Sequence, residues 1–358
     1  MGWTYAPRLL AACLLSAELT LCAPLFVLGQ PSTAPDVNKD LDRAVQLRKQ
    51  EKYDEAISLL RTGLALKPDT DRGAALLFEL GQVLFLKGQA PLTQSQDLDT
   101  RTLEEALATF RRVQKQYPNS GKAAPASYMV GSTYLVMWDS NQALKSYQAT
   151  YADFPKYTGR SRALLRSGIL MGGLDRTAEG REIMKRVVRE YPASKFPDSK
   201  TDVQSALKHL RFTEIHGQLA APLRADSWLN QNIDRAGPLQ NLQGEVLVLV
   251  FLSTGCTSCS RQLPKVRYLI NTWTERGVFF LGLFNPLDRR STMTPNLYVE
   301  KARLDLFDVG LVTNSNTWEA YRADRLPGIV VVDRQGKIRW RGHPTYFPAA
   351  LLAKVLEE

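Results

Sequence analysis

The run Val246-Leu247-Val248-Leu249-Val250-Phe251-Leu252-Ser253-Thr254-Gly255-Cys256-Thr257-Ser258-Cys259-Ser260-Arg261-Gln262-Leu263-Pro264 orders the reading of the rest of the chain. Its first residues are β-branched, aliphatic or aromatic without a polar break, the pattern of a strand buried on both faces. Ser-Thr-Gly ends that run and delivers Cys-Thr-Ser-Cys to the first turn of a predicted helix. Two cysteines three apart at a helix start lie on one face and close into a disulfide with little backbone movement. Cys256 stands where unpaired backbone N–H groups and the helix dipole favour a thiolate, the species that attacks disulfides. On that reasoning Cys256 is the catalytic nucleophile and Cys259 the resolving thiol.

Two other uses of the pair compete with this one. A Cys-x-x-Cys can be half of a zinc site, but structural zinc takes four ligands and catalytic zinc usually three. The other two cysteines, Cys13 and Cys22, fall in the first two dozen residues, and His209, His216 and His343 do not stand at ligand spacing from one another. A metal is therefore not expected. A purely structural Cys256–Cys259 bridge closes so short a loop that it would stabilise little.

At the amino terminus Arg8 precedes an apolar stretch from Leu9 to Leu28, followed by polar Gln30-Pro31-Ser32-Thr33. Residues 1–29 are predicted as a secretory signal peptide, with an uncleaved membrane anchor as the rival and Glu18 in mid-stretch weighing against that rival. With Cys13 and Cys22 removed, the mature chain keeps only the Cys256–Cys259 pair. A secreted protein with one such pair at a helix start is using it for redox chemistry, not for a disulfide framework. The expected location is secreted or periplasmic.

The net charge is +10, of which +6 lies before Arg211 and +4 from there on. No basic tail or aromatic-interleaved basic patch stands out, so nucleic acid is not an expected partner.

From about residue 36 to 210 the sequence repeats itself. Tyr117-Pro118, Phe154-Pro155 and Tyr191-Pro192 are spaced by 37, as are Gly131 and Gly168. An earlier copy ends at Lys67-Pro68, and the interval of 50 from there to Pro118 leaves a surplus of 13 that fits an insertion in the turn around Gly88 to Thr102. Small residues at fixed crossings, an aromatic or aliphatic residue four later and a closing proline describe stacked helical hairpins. These units resemble tetratricopeptide repeats, most fully at Gly131, Tyr134, Ala143, Tyr147 and Pro155, and their length resembles the longer repeats of bacterial envelope proteins. At least four units are expected, with a capping helix around Thr201 to Leu210. The resemblance implies a surface that holds a peptide or partner protein; the periodic residues themselves are core.

From Gly217 to the end, short strands replace long helices. Gly217 to Pro222 and Ser227 to Asn230 suggest an entry hairpin, and Val246 to Leu252 and Val278 to Phe284 suggest buried strands. Asp308 to Val312 and Ile329 to Val332 add two more, the latter turning at Arg334 to Gly336 into an antiparallel strand, before a last helix from Phe347 to Leu356.

Residues 217–358 resemble the thioredoxin fold of the TlpA/ResA-type thiol:disulfide oxidoreductases. The likeness rests on the strand with its dithiol, on Pro264 five residues after Cys259, and on Leu326-Pro327 opening the strand that ends at Asp333. It implies that Pro327 is cis beside the dithiol, that Leu326 offers its backbone to a substrate strand, and that Gly255, where tryptophan is usual, forms an open rim. These three are the expected substrate-binding residues. It also marks departures. The proton-accepting acids of such proteins are replaced by Val250 and Gln262, and Gly328 follows the proline where threonine is usual.

The expectation is a multidomain chain, an all-α tetratricopeptide-like solenoid followed by an α/β thioredoxin fold. It would exchange the Cys256/Cys259 dithiol with disulfides of partner proteins, without cofactor or metal, while the solenoid recruits a partner. The alternative is a non-catalytic or redox-sensing adaptor.

Overall fold

The computed structural model describes residues 37–93, 97–230, 244–285, 294–301, 304 and 308–358. The predicted signal segment and both early cysteines lie outside them. Paired helices come first: α1 (Val37–Lys49) with α2 (Tyr53–Ala65), α3 (Thr70–Thr93) with α4 (Thr100–Gln116), α5 (Ala123–Val136) with α6 (Ser140–Asp153), and α7 (Arg160–Gly173) with α8 (Thr177–Glu190), followed by α9 (Lys200–Thr213). The small residues lie where helices nearly touch. A Cβ on Gly81 would stand 2.6 Å from the Phe110 ring, and one on Gly131 would stand 2.8 Å from Tyr147, so only glycine lets those rings seat. Asp99 and Asp139 start α4 and α6 by accepting the N–H of Thr102 and of Gln142, caps that each contribute about 1 kcal/mol.

The surplus before Pro118 is not all turn. α3 continues through Gly88 to Thr93, with Gly88 pressed against Leu103 of α4. Leu84 and Phe85, in the turn before Gly88, pack in the helical core, and the fully buried Leu103 of α4 covers Gly88.

The second half is built on a six-stranded sheet with α10 to α13 around it. In chain order it runs β1 (Ser227–Asn230), β2 (Val246–Ser253), α10 (Thr257–Trp273), β3 (Val278–Asn285), α11 (Pro295–Lys301), β4 (Asp308–Leu311), α12 (Ser315–Ala320), β5 (Gly328–Val332), β6 (Ile338–Gly342) and α13 (Ala349–Glu357). The strand order is β1-β4-β3-β2-β5-β6. β2, β3 and β4 are parallel, and β1, β5 and β6 run antiparallel to their neighbours.

All eight residues of β2 are buried, and their alternation serves two cores. Val246, Val248, Val250 and Leu252 pack under Val266, Leu269, Ile270 and Trp273 of α10 and Leu351, Leu352 and Val355 of α13. Leu247, Leu249 and Phe251 face Tyr321, Ala323, Leu223 and Ile215 on the other side. Each such aliphatic side chain contributes about 1.5–3 kcal/mol by leaving water, which is why the central strand is so uniformly apolar.

β6 breaks simple alternation. Val332 pairs with Ile338 and Val331 with Trp340, so Arg339 is the extra residue of a bulge. The bulge sends Ile338 and Trp340 into opposite cores, and puts Arg341 opposite Val330.

The expected entry hairpin does not form. Gln218 and Ala220 bond to the turn and start of β6, with Leu219 bridged to Lys337, whereas β1 crosses to the far edge and pairs with β4. The four residues of β1 find a free strand edge there, and Asp226 ties the crossing by accepting from the N–H and hydroxyl of Thr313.

The helices and the sheet share contacts at several points. The Arg341 guanidinium stacks 3.8 Å over the Phe212 ring of α9. Trp138, after α5, lies parallel to Tyr268 of α10 with centroids 5.6 Å apart. Asp175, between α7 and α8, pairs with Arg339 and Lys354. Residues 37–358 accordingly form one compact unit.

Candidate functional site

β2 leaves the sheet at Ser253, and the turn through Thr254 and Gly255 lets α10 begin at once. The Gly255 N–H points back to the Ser253 hydroxyl at 3.3 Å. Cys256 is the residue before the first helical turn, and its Sγ accepts the N–H of Cys259 at 3.1 Å. Cys256 and Cys259 are joined as a disulfide, with Cα atoms 5.2 Å apart. Their environments differ sharply. Cys259 is fully buried in the α10 core, whereas Cys256 is partly exposed beside it.

The Leu326–Pro327 bond is cis. Pro327 is buried, Leu326 is half-buried and packs with both cores, and the backbone turns from here straight into β5. Ser258 joins this loop to the dithiol: its hydroxyl donates to the Leu326 carbonyl at 2.9 Å and lies 3.3 Å from Cys256 Sγ. The structure thus brings Cys256, Cys259, Leu326 and Pro327 together, with Gly255 at the turn before the dithiol. Ser258 is a further member, to which the sequence reading gave no place in the site.

The two positions where the resemblance puts an acid hold none. Val250 lies in the core opposite Ile329. Gln262, on the face of α10 one turn after Cys259, accepts a hydrogen bond from the Thr345 hydroxyl at 3.2 Å. Thr345 in turn donates its N–H to His343 Nδ1 at 3.2 Å, so this ring carries its proton on Nε2. Burial, with Lys265 and several arginines nearby, lowers His343 to about 4 and keeps it neutral. Burial alone brings Lys265 down to about 8.

Gly328 has a local cause. A Cβ there would stand 2.8 Å from the Arg341 guanidinium and 3.2 Å from the Arg325 carbonyl. Arg341 is buried and donates to the carbonyls of Tyr321, Arg322, Arg325 and Gly342. Desolvation lowers it to about 10, which leaves it a cation at neutral pH. Arg341 therefore holds the loop that carries the cis bond and presents a charge beside it. The sequence signal was indirect: glycine where a side chain was expected.

The tetratricopeptide repeat family model matches residues 75–120 and 162–194. Protein DipZ of Mycobacterium bovis and its counterpart in Mycobacterium tuberculosis are each 26% identical over 113 residues, which is 31% of this chain and 16% of theirs. The chain thus spans about a sixth of the length of those relatives. Among solved structures, a thioredoxin-like superfamily protein is 24% identical, with 39% of this chain and 97% of that chain covered at a TM-score of 0.35. A thiol-disulfide isomerase from Corynebacterium glutamicum is 22% identical, with 39% and 97% covered at a TM-score of 0.34.

Proposed function

We propose that this chain, in which tetratricopeptide repeats are joined to a thioredoxin-like domain, exchanges the Cys256/Cys259 dithiol with disulfides of partner proteins. The observation that carries the proposal is the asymmetry of the pair: a partly exposed Cys256 at the start of α10, bonded to a fully buried Cys259, and linked through Ser258 to the Leu326–Pro327 loop. A bridge kept only for strength needs neither a partly exposed cysteine nor an adjacent peptide edge.

In the reduced form the Cys256 thiolate attacks one sulfur of a partner disulfide. A Cys256–partner disulfide forms, the partner's second sulfur leaves as a thiolate, and that thiolate takes up a proton. Cys259 then loses its proton and attacks Cys256, releasing the partner's first sulfur. Two electrons have passed to the partner and the Cys256–Cys259 bridge is restored; the reverse sequence oxidises a partner dithiol. Leu326, Pro327 and Gly255 form the rim against which the partner segment lies, and the helical repeats help to recruit it. The amino-terminal sequence suits a secreted or periplasmic protein, where such exchange has substrates.

The test is capture of the mixed disulfide. Reduced Cys259→Ser protein, mixed with a disulfide-linked model peptide, is expected to form a covalent adduct that dithiothreitol releases. Cys256→Ser should form none. Equal adducts in both variants, or none in either, would overturn the reading.

A further inference from the structure

The dithiol loop does not face open solvent alone. A cleft of about 700 Å³ separates the helices from the sheet half, with Ser258, Leu326 and Pro327 on one wall and residues of α5, α7 and α9 on the other. That size lies within the range of roughly 300–1,000 Å³ typical of ligand sites.

Its charge is one-sided. Arg162, Arg166, Lys208, Arg325 and Arg341 line the cleft, against the single carboxylate of Asp202. That carboxylate is already engaged, accepting from the Ser161 hydroxyl at 2.7 Å and pairing with Arg162 at 3.4 Å. Asp324, the acid next to Arg325 in sequence, is paired with Arg211, and its charge also acts on Lys208 and Arg341 from beyond ion-pair distance. Arg166 is held over the Tyr346 ring at 4.3 Å and donates to the Tyr128 hydroxyl. Arg341 is fixed by four carbonyls. Among the described residues no carboxylate lies within ion-pair distance of Arg166, Lys208, Arg325 or Arg341. The two histidines on the lining, His209 and His343, are neutral and offset nothing. Cations gathered across two walls, and held by carbonyls and rings more than by carboxylates, attract a complementary anion and speed its encounter.

We propose that the cleft binds an acidic, extended segment of the partner protein and lays it along the Leu326–Pro327 loop, so that the helical half selects which disulfides reach Cys256. This rests on the exchange chemistry proposed above, for a peptide carrying a disulfide is what brings an anion and a target sulfur to one place. The selecting residues are Arg162, Arg166 and Lys208 from the helices with Arg325 and Arg341 from the sheet half.

The experiment uses the whole mature chain and two fluorescent peptides of equal length, one rich in Asp and Glu and one rich in Lys. Each is made in two forms, with the central cysteine as a mixed disulfide and with serine in its place. Binding of the serine peptides to the oxidised protein reads the cleft without any chemistry. The acidic peptide is expected to bind about tenfold or more tightly than the basic one at low salt, and the preference should fade towards about 0.5 M salt as charges are screened. In the Lys208→Gln/Arg325→Gln protein, with folding checked by circular dichroism, the ratio should fall several-fold. Equal affinities, no binding, or an unchanged ratio in the variant would overturn the proposal. Exchange of the reduced protein with a small uncharged disulfide reads the dithiol separately. Silence there with intact acidic preference sinks the oxidoreductase reading and leaves the cleft standing, whereas exchange without acidic preference does the reverse.

Discussion

The Ser258 hydroxyl donates to the carbonyl of Leu326 while lying 3.3 Å from Cys256 Sγ. One proton serves two acceptors, the backbone of the cis-proline loop and the sulfur of the partly exposed cysteine. In the disulfide the carbonyl is the stronger acceptor; when Cys256 is a thiolate, the charge makes sulfur the better one.

Ser258→Ala should therefore raise the Cys256 thiol pKa, because the thiolate loses a hydrogen-bond donor. The rate of Cys256 alkylation against pH, in a Cys259→Ser background, measures it. An unchanged profile would mean that the hydroxyl stays with Leu326.

Gly328→Thr installs the residue usual after the cis-proline in proteins of the resembled type. Here it should destabilise by roughly 2 kcal/mol, because the new Cβ displaces a guanidinium that satisfies four carbonyls. Urea unfolding of the variant checks this, and Gly328→Ala should show part of the same loss.

His209 lies buried in α9 with Arg166, Arg341 and Arg325 around it, and its Nδ1 bonds the Ser205 carbonyl. Burial, the largest cause, lowers it to about 4. The unfolded ring, near 6.5, binds a proton that the native ring refuses, so this contribution is complete above about pH 6.5 and is lost as pH falls towards 4. The loss amounts to roughly 3 kcal/mol for this group. His343 acts in the same direction. Stability measured from pH 7 to 4 should fall, and His209→Leu should flatten that fall.

Trp138 stacks face to face on Tyr268, 6° from parallel, and so connects the helical half to the helix that carries the dithiol. Trp138→Ala should cost about 2 kcal/mol. It should also separate the unfolding of the helical half from that of the sheet, which circular dichroism and tryptophan fluorescence would then follow at different urea midpoints. Coincident midpoints would show that the remaining contacts suffice.

Much of this was legible in the residues because it is local. A strand buried on both faces needs an uninterrupted apolar run, and β2 has one; helical crossings need small residues, and the 37-residue spacing of Gly131 and Gly168 displays them. What escaped depends on distant partners. β1 is four residues long, and its mate lies some eighty positions away, so nothing near it in sequence could distinguish that pairing from a hairpin. Arg341 reads as a polar residue on an edge strand. It is buried only because the bulge at Arg339 turns it and α9 covers it, and neither event leaves a periodic trace. The basic cleft escaped for the same reason: Arg162, Arg166, Lys208, Arg325 and Arg341 converge only in space, and an even charge count along the chain conceals them.

The reduction potential of the Cys256–Cys259 couple, obtained by equilibrating the protein in dithiol redox buffers with Cys256→Ser as control, bears most directly on the proposed chemistry. Exchange predicts a reversible two-electron couple between about −120 and −270 mV, the span of thiol:disulfide catalysts. A bridge that stays oxidised down to potentials below about −300 mV, as structural disulfides do, would contradict it.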